Sequence, residues 1–143
     1  MKKRELLEFN KALQNYNKVS GFVKFSHAVN RNKRLIKDEV ESITESIKEY
    51  EEKRTEIVIK YAEKDEKGNL VINGDNVKIL PKNVEPLNKE IKELNESYKK
   101  QLDEFNTILE EDIEIEFYKV DIEYLEGLDI TTEELDRIEY MLL

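Results

Sequence analysis

Lys24, His27, Arg31 and Arg34 follow one another at steps of three, four and three residues. On an α-helix that spacing places all four on one face. Asn30, Lys33 and Lys37 line an adjacent strip, while Phe22, Phe25, Val29 and Ile36 take the opposite, buried side. The stretch FVKFSHAVNRNKRLIK, residues 22–37, holds five Lys or Arg, the chain's one His and no acid. Cations this close repel one another, so the row calls for an anion. Arg offers a planar fork that matches phosphate, and Asn can address a base or ribose edge. Lys24, His27, Asn30, Arg31, Lys33, Arg34 and Lys37 are therefore the candidate ligand-binding residues. A phosphate-bearing small molecule is the anion expected. The rival partner is the protein's own acidic half, within the chain or across a subunit interface.

Other chemistry finds little footing. There is no Cys, which excludes disulfides and thiolate metal sites. His27 has no nucleophile placed to use it, because the adjacent Ser26 points elsewhere on a helix. No glycine-rich phosphate loop and no HExxH pattern occurs. Glu110, Glu111, Asp112, Glu114 and Glu116 are clustered, and alternate carboxylates on a strand could hold Mg²⁺ or Ca²⁺, but such a run reads first as a solvated strand face. No catalytic residue, metal or cofactor is expected, and the protein is read as a non-enzyme.

The charge is unevenly spread. Residues 9–37 carry +7, residues 1–8 carry +1 and residues 38–143 carry −17, for a net −9 over 143 residues. A chain so acidic is a poor ligand for double-stranded nucleic acid, since its basic stretch covers less than a quarter of its length. No apolar run approaches the roughly 20 residues of a membrane span. The opening MKKRELLEF lacks the apolar core of a signal peptide, so a cytoplasmic location is expected.

The elements that must position the basic row follow from periodicity. Leu6, Phe9, Leu13 and Tyr16 define one face of an N-terminal helix, broken at Ser20-Gly21. Ile36, Val40, Ile43, Ile47, Tyr50, Ile57 and Tyr61 alternate at steps of four and three, with Arg54 filling the one gap. Phe22, Phe25 and Val29 extend this heptad seam upstream, and Asn32 falls on it. A lone polar residue in a seam commonly sets register or oligomer state, which is the role expected of Asn32 and Arg54. Leu70 to Ile72 and Val77 to Ile79, joined through Asn73-Gly74-Asp75-Asn76, predict a β-hairpin. A third helix is predicted from an Asn83 N-cap, with Pro86 in its first turn and a seam from Val84 to Leu109. Tyr50, Tyr61 and Tyr98 are expected at the core's edge with hydroxyls in water.

Ile113, Ile115 and Phe117 alternate with Glu114, Glu116 and Tyr118, which predicts a strand with one buried face. It has no partner strand in the chain, so pairing with another copy is expected. Thr131 and Glu134 form a capping box for a last short helix.

The predicted fold is mainly α: an antiparallel two-helix coiled-coil rod with a small β-hairpin at its tip. An N-terminal helix, one C-terminal strand and a short C-terminal helix complete it. It is read as one domain over 1–143, divided into 1–19, 20–64, 65–82, 83–111 and 112–143.

VKFSHAVNRNKRLIKDEVESI, KYAEKDEKGN and EEDIEIEFYKVDIEYLEGLDITTEEL together resemble segments of small proteins encoded by tailed phages and prophages of Firmicutes. That family has no established catalytic residues, so the resemblance transfers none. It implies a phage setting in the host cytoplasm. There such proteins assemble the virion, or counter host defence by binding an enzyme or sequestering a nucleotide signal. Two function classes follow. One is an accessory homo-oligomer that holds an anionic ligand or a host protein on the basic helix face. The other is a structural or assembly protein acting only through protein contacts.

Overall fold

The computed structural model describes residues 1–74 and 76–143. The chain is mainly helical, and the described residues include one small two-stranded antiparallel sheet. Its contacts divide it into two compact units, residues 1–45 with 107–143 and residues 46–106.

In the first unit, α1 (Lys3–Gln14) buries Leu6, Phe9, Ala12 and Leu13 on the face that the spacing predicts. Glu5 reaches back to accept a hydrogen bond from the Lys2 backbone N–H at 2.8 Å, which occupies a donor the helix start leaves open. Gly21 ends the connection to α2 (Val23–Glu45) with φ +85°, a conformation that only glycine adopts without strain. Phe25, Ala28, Val29, Asn32, Ile36 and Ile43 are the buried residues of α2. The Phe25 ring meets Tyr16 edge to face at 5.2 Å, so the part of α2 before Ile36 packs on α1.

The expected helix over 20–64 is divided. α2 ends at Glu45 and α3 (Lys48–Tyr61) begins after Ile47, whose backbone has left helical geometry (φ −119°, ψ 12°). Thr44 turns its hydroxyl onto the Val40 and Glu41 carbonyls, and such back-bonding weakens a helix where Ser and Thr cluster.

The predicted strand at Ile113 to Phe117 forms no ladder among the described residues. Its alternation survives as burial: Ile113, Ile115 and Phe117 are half-buried while Glu114, Glu116 and Tyr118 are exposed. Other groups take the place of a partner strand. The Ile113 N–H donates to the Met1 carbonyl at 2.8 Å, and the Val120 N–H donates to the Met141 carbonyl at 2.8 Å. Asn32 answers Tyr118 with both ends of its carboxamide: Nδ2 donates to the Tyr118 carbonyl at 2.9 Å, and Oδ1 accepts from the Tyr118 N–H at 2.8 Å. Inside this layer Phe117 packs on Phe9 and Tyr140, with ring centroids 4.9 and 5.7 Å away. The Thr131–Glu134 capping box opens α6 (Thr132–Arg137), and Ile138 and Met141 just beyond it are fully buried.

In the second unit, α3 pairs antiparallel with α4 (Pro81–Ser97), which α5 (Lys99–Leu109) follows. Tyr50 donates to Asn95 at 2.5 Å and Tyr98 donates to Glu49 at 2.8 Å, so these hydroxyls bond to protein groups, not only to water. Lys60 pairs with Glu90 at 2.8 Å. α4 starts at Pro81, not at an Asn83 cap, because the fixed φ of proline suits the first helical position. Asn83 instead donates to the Tyr61 carbonyl at 3.2 Å, and Pro86 lies inside the helix. Between the helices, β1 (Ile72–Asn73) and β2 (Asn76–Val77) pair antiparallel, shorter than predicted. Gly74 in their turn has φ +66°, and the predicted turn residue Asp75 lies outside the described residues. Glu63 joins both sides of this hairpin: its N–H donates to Lys78 and its carbonyl accepts from Val71. Tyr50→Phe keeps the ring packing and removes the hydroxyl's hydrogen bond. It is expected to lower the stability of this unit by about 1 kcal/mol in urea denaturation; an unchanged midpoint would show that Asn95 contributes nothing there.

Candidate functional site

The cations of the chain are sorted by the fold into answered and unanswered groups. Lys2 and Arg4 both reach Glu110, at 2.6 and 2.8 Å, and Lys3 reaches Glu39 and Glu111, at 3.0 and 2.8 Å. The hydrogen bond from Lys2, then that from Arg4, holds the Glu110 carboxyl below its ordinary pKa. Glu110 and Glu111, the first two acids of the run after α5, are thus spent on the N-terminus. Among the described residues no group of three His, Asp or Glu is arranged to hold a metal ion.

On α2 the seven candidate residues fare differently. Lys24 donates to the Tyr124 hydroxyl at 2.9 Å and lies 4.3 Å over its ring, and that hydrogen bond raises its pKa. Lys37 stands 4.0 Å from Glu41, one turn along the same helix. Lys33 is half-buried, and burial lowers its pKa. Asn30 is exposed. His27 meets the Tyr118 ring edge-on at 5.4 Å, and the Arg31 guanidinium lies 5.4 Å from the centroid of the same ring.

Arg31 and Arg34 converge on an open groove of about 540 Å³, lined also by Leu35, Glu116, Phe117 and Tyr118. Among the described residues neither arginine forms an ion pair or a hydrogen bond. Of the seven candidates only these two line the groove; Lys24, His27, Asn30, Lys33 and Lys37 do not. Leu35 and Tyr118 remain 51% and 41% exposed, so the groove offers apolar and aromatic surface beside the two guanidinium groups.

The groove exists because an extended segment crosses α2 in one register. Asn32, fully buried one residue after Arg31, holds the Tyr118 backbone, and so brings the Tyr118 ring over Arg31. Asn32 thus sets a register, but between a helix and an extended segment of one chain. Arg54 is exposed on α3. Ile113, Ile115 and Phe117 turn toward the interior of the first unit, where Phe117 meets Phe9. Tyr118 and Leu35 were missed as site residues. The signal for Tyr118 was its parity: it shares the outward face of Glu114 and Glu116, where an aromatic ring is out of place.

No described helix is long and apolar enough to cross a membrane. No protein-family model, curated protein or solved structure matches the chain.

Proposed function

We propose that this is a non-enzymatic binding protein whose groove beside α2 holds a phosphate-bearing small molecule. The observation that carries the reading is the pair Arg31 and Arg34. They share one open groove in a chain of net charge −9, and although Glu116 lines it too, no acid of the described residues forms an ion pair with them. Two guanidinium forks on one groove suit the oxygens of a phosphoryl group. The groove volume lies within the roughly 300–1,000 Å³ of small-ligand pockets. The resemblance to phage proteins adds a setting: an accessory, anti-defence protein in the host cytoplasm that sequesters a nucleotide-like signal. In this proposal the α3–α4 pair belongs to a coiled-coil rod with the small sheet at its tip, and the protein acts as a homo-oligomer.

A second reading, assembly through protein contacts alone, draws on the exposure of Leu35 at 51% and of Val23 at 80%. A second copy or a host protein would then cover the groove with its own acids.

A thermal-melting screen against linear and cyclic nucleotides separates the two. A ligand at 100 times its Kd stabilises by about 2.7 kcal/mol, which is readily seen as a rise in Tm. Wild type is expected to show that rise. Arg31→Ala with Arg34→Ala is expected to weaken the affinity by about a hundredfold or more without unfolding the protein, since both side chains are exposed and each charge-assisted hydrogen bond lost costs about 1.5–3 kcal/mol. Absence of any nucleotide effect, with a double variant that changes mass in light scattering, would favour the assembly reading.

A further inference from the structure

We infer that the groove selects a mononucleotide carrying a single phosphoryl group over nucleoside triphosphates and over inorganic phosphate. The inference rests on the anion-binding reading above and adds the ligand's class. Arg31 and Arg34 share the groove with Glu116, so its formal charge is +1. A phosphodiester or monoester is matched by two guanidinium groups. Each further phosphate adds negative charge to a groove that already holds the Glu116 carboxylate, and like charges sharing one groove repel. A carboxylate accepts hydrogen bonds and cannot donate them. Glu116 therefore calls for a donor on the ligand, such as an exocyclic amino group or a ribose hydroxyl. Inorganic phosphate offers no apolar body to the Tyr118 and Leu35 walls.

The remaining walls suit that body. Tyr118 and Leu35 present a ring and an aliphatic surface beside the arginines, and Phe117 lines the groove too. A base placed there stacks on Tyr118 or on the Arg31 guanidinium, contacts that carry little sequence preference. Glu116 is exposed and makes no ion pair with either arginine. Its carboxylate is therefore open to a ligand and is not consumed in neutralising the site.

Isothermal titration of the full chain tests this with five probes: adenosine monophosphate, cyclic adenosine monophosphate, adenosine triphosphate, inorganic phosphate and a short single-stranded oligonucleotide. Wild type should bind one of the two monophosphates at least about tenfold tighter than the triphosphate, inorganic phosphate or the oligonucleotide, a difference of about 1.4 kcal/mol. The oligonucleotide arm separates a free nucleotide from one held in a strand, which the net charge of −9 repels. Glu116→Gln keeps the shape and removes the charge, and should bring the triphosphate to within about threefold of the monophosphate. Triphosphate or oligonucleotide binding as tight as monophosphate in wild type overturns the inference. So does a monophosphate preference unchanged in Glu116→Gln. In either case binding that still requires Arg31 and Arg34 leaves the anion-binding reading standing. Binding of no probe, or equal binding by the Arg31→Ala, Arg34→Ala variant, removes that reading and the inference with it.

Discussion

Asn32→Leu is expected to destabilise the first unit by about 2–4 kcal/mol, although leucine fits the space and adds apolar surface. Asn32 is fully buried and exchanges two hydrogen bonds with the Tyr118 backbone, at 2.9 and 2.8 Å. Leucine leaves the N–H and the carbonyl of Tyr118 without that partner, and an unsatisfied buried group costs about 1–3 kcal/mol. Partial exposure at Tyr118 lets water answer some of this, which sets the figure below the sum of two full penalties. Urea denaturation reads the loss, and hydrogen exchange at the Tyr118 amide locates it. An unchanged midpoint with a still-protected amide would refute the account. Asn32→Asp adds a pH signature. A protonated acid can still accept from the N–H and donate to the carbonyl, whereas the carboxylate sets an oxygen against the Tyr118 carbonyl. The folded state therefore raises the pKa of the new acid. The variant should lie closest to wild type below the unfolded value of about 3.9, and lose ground as pH rises above it. Because Asn32 places Tyr118 over Arg31, both variants should also weaken nucleotide binding without removing a cation.

What the sequence made legible was local. The stripe of Leu6, Phe9 and Leu13 and the Thr131–Glu134 capping box depend on residues a few positions apart, and each appears as read. The division at Ser46–Ile47 was hidden because the seam from Ile36 to Tyr61 keeps its period across it. The alternation from Ile113 to Phe117 was legible as a buried face, but its partner was not. A strand's backbone can be satisfied by any donor and acceptor in the right place, and here a single carboxamide 86 residues away supplies both for Tyr118. The basic row was legible as a face, while its division was not. Tyr124 takes Lys24 across 100 residues, and two arginines without an ion pair among the described residues are visible only once their neighbours are placed.

Phe9→Ala is expected to cost about 3–5 kcal/mol, more than the loss of the Asn32 hydrogen bonds. Phe9 is 1% exposed on α1 and meets Phe117 at 4.9 Å and Tyr140 at 5.7 Å, both edge to face. Truncation removes the ring's buried area and leaves a cavity that α1 cannot close, because Leu6 and Leu13 on the same face are fully buried and fixed. Phe9→Leu fills most of the space and should cost roughly 1–2 kcal/mol. The consequence reaches the groove. Phe117 anchors the inner face of the extended segment, and the next residue is Tyr118. When the anchor loosens, the segment keeps its hydrogen bonds at Asn32 and Val120 but loses ring packing beside Tyr118, so Phe9→Ala should lower nucleotide affinity even where the protein is still folded, while Phe9→Leu should leave it near wild type. Urea denaturation gives the stability and titration of the folded variants gives the affinity. A Phe9→Ala loss below about 1 kcal/mol would show that the aromatic cluster is not the centre of the core. Wild-type affinity in a destabilised Phe9→Ala would show instead that the hydrogen bonds at Asn32 and Val120, with the Tyr140 ring, suffice to seat the segment.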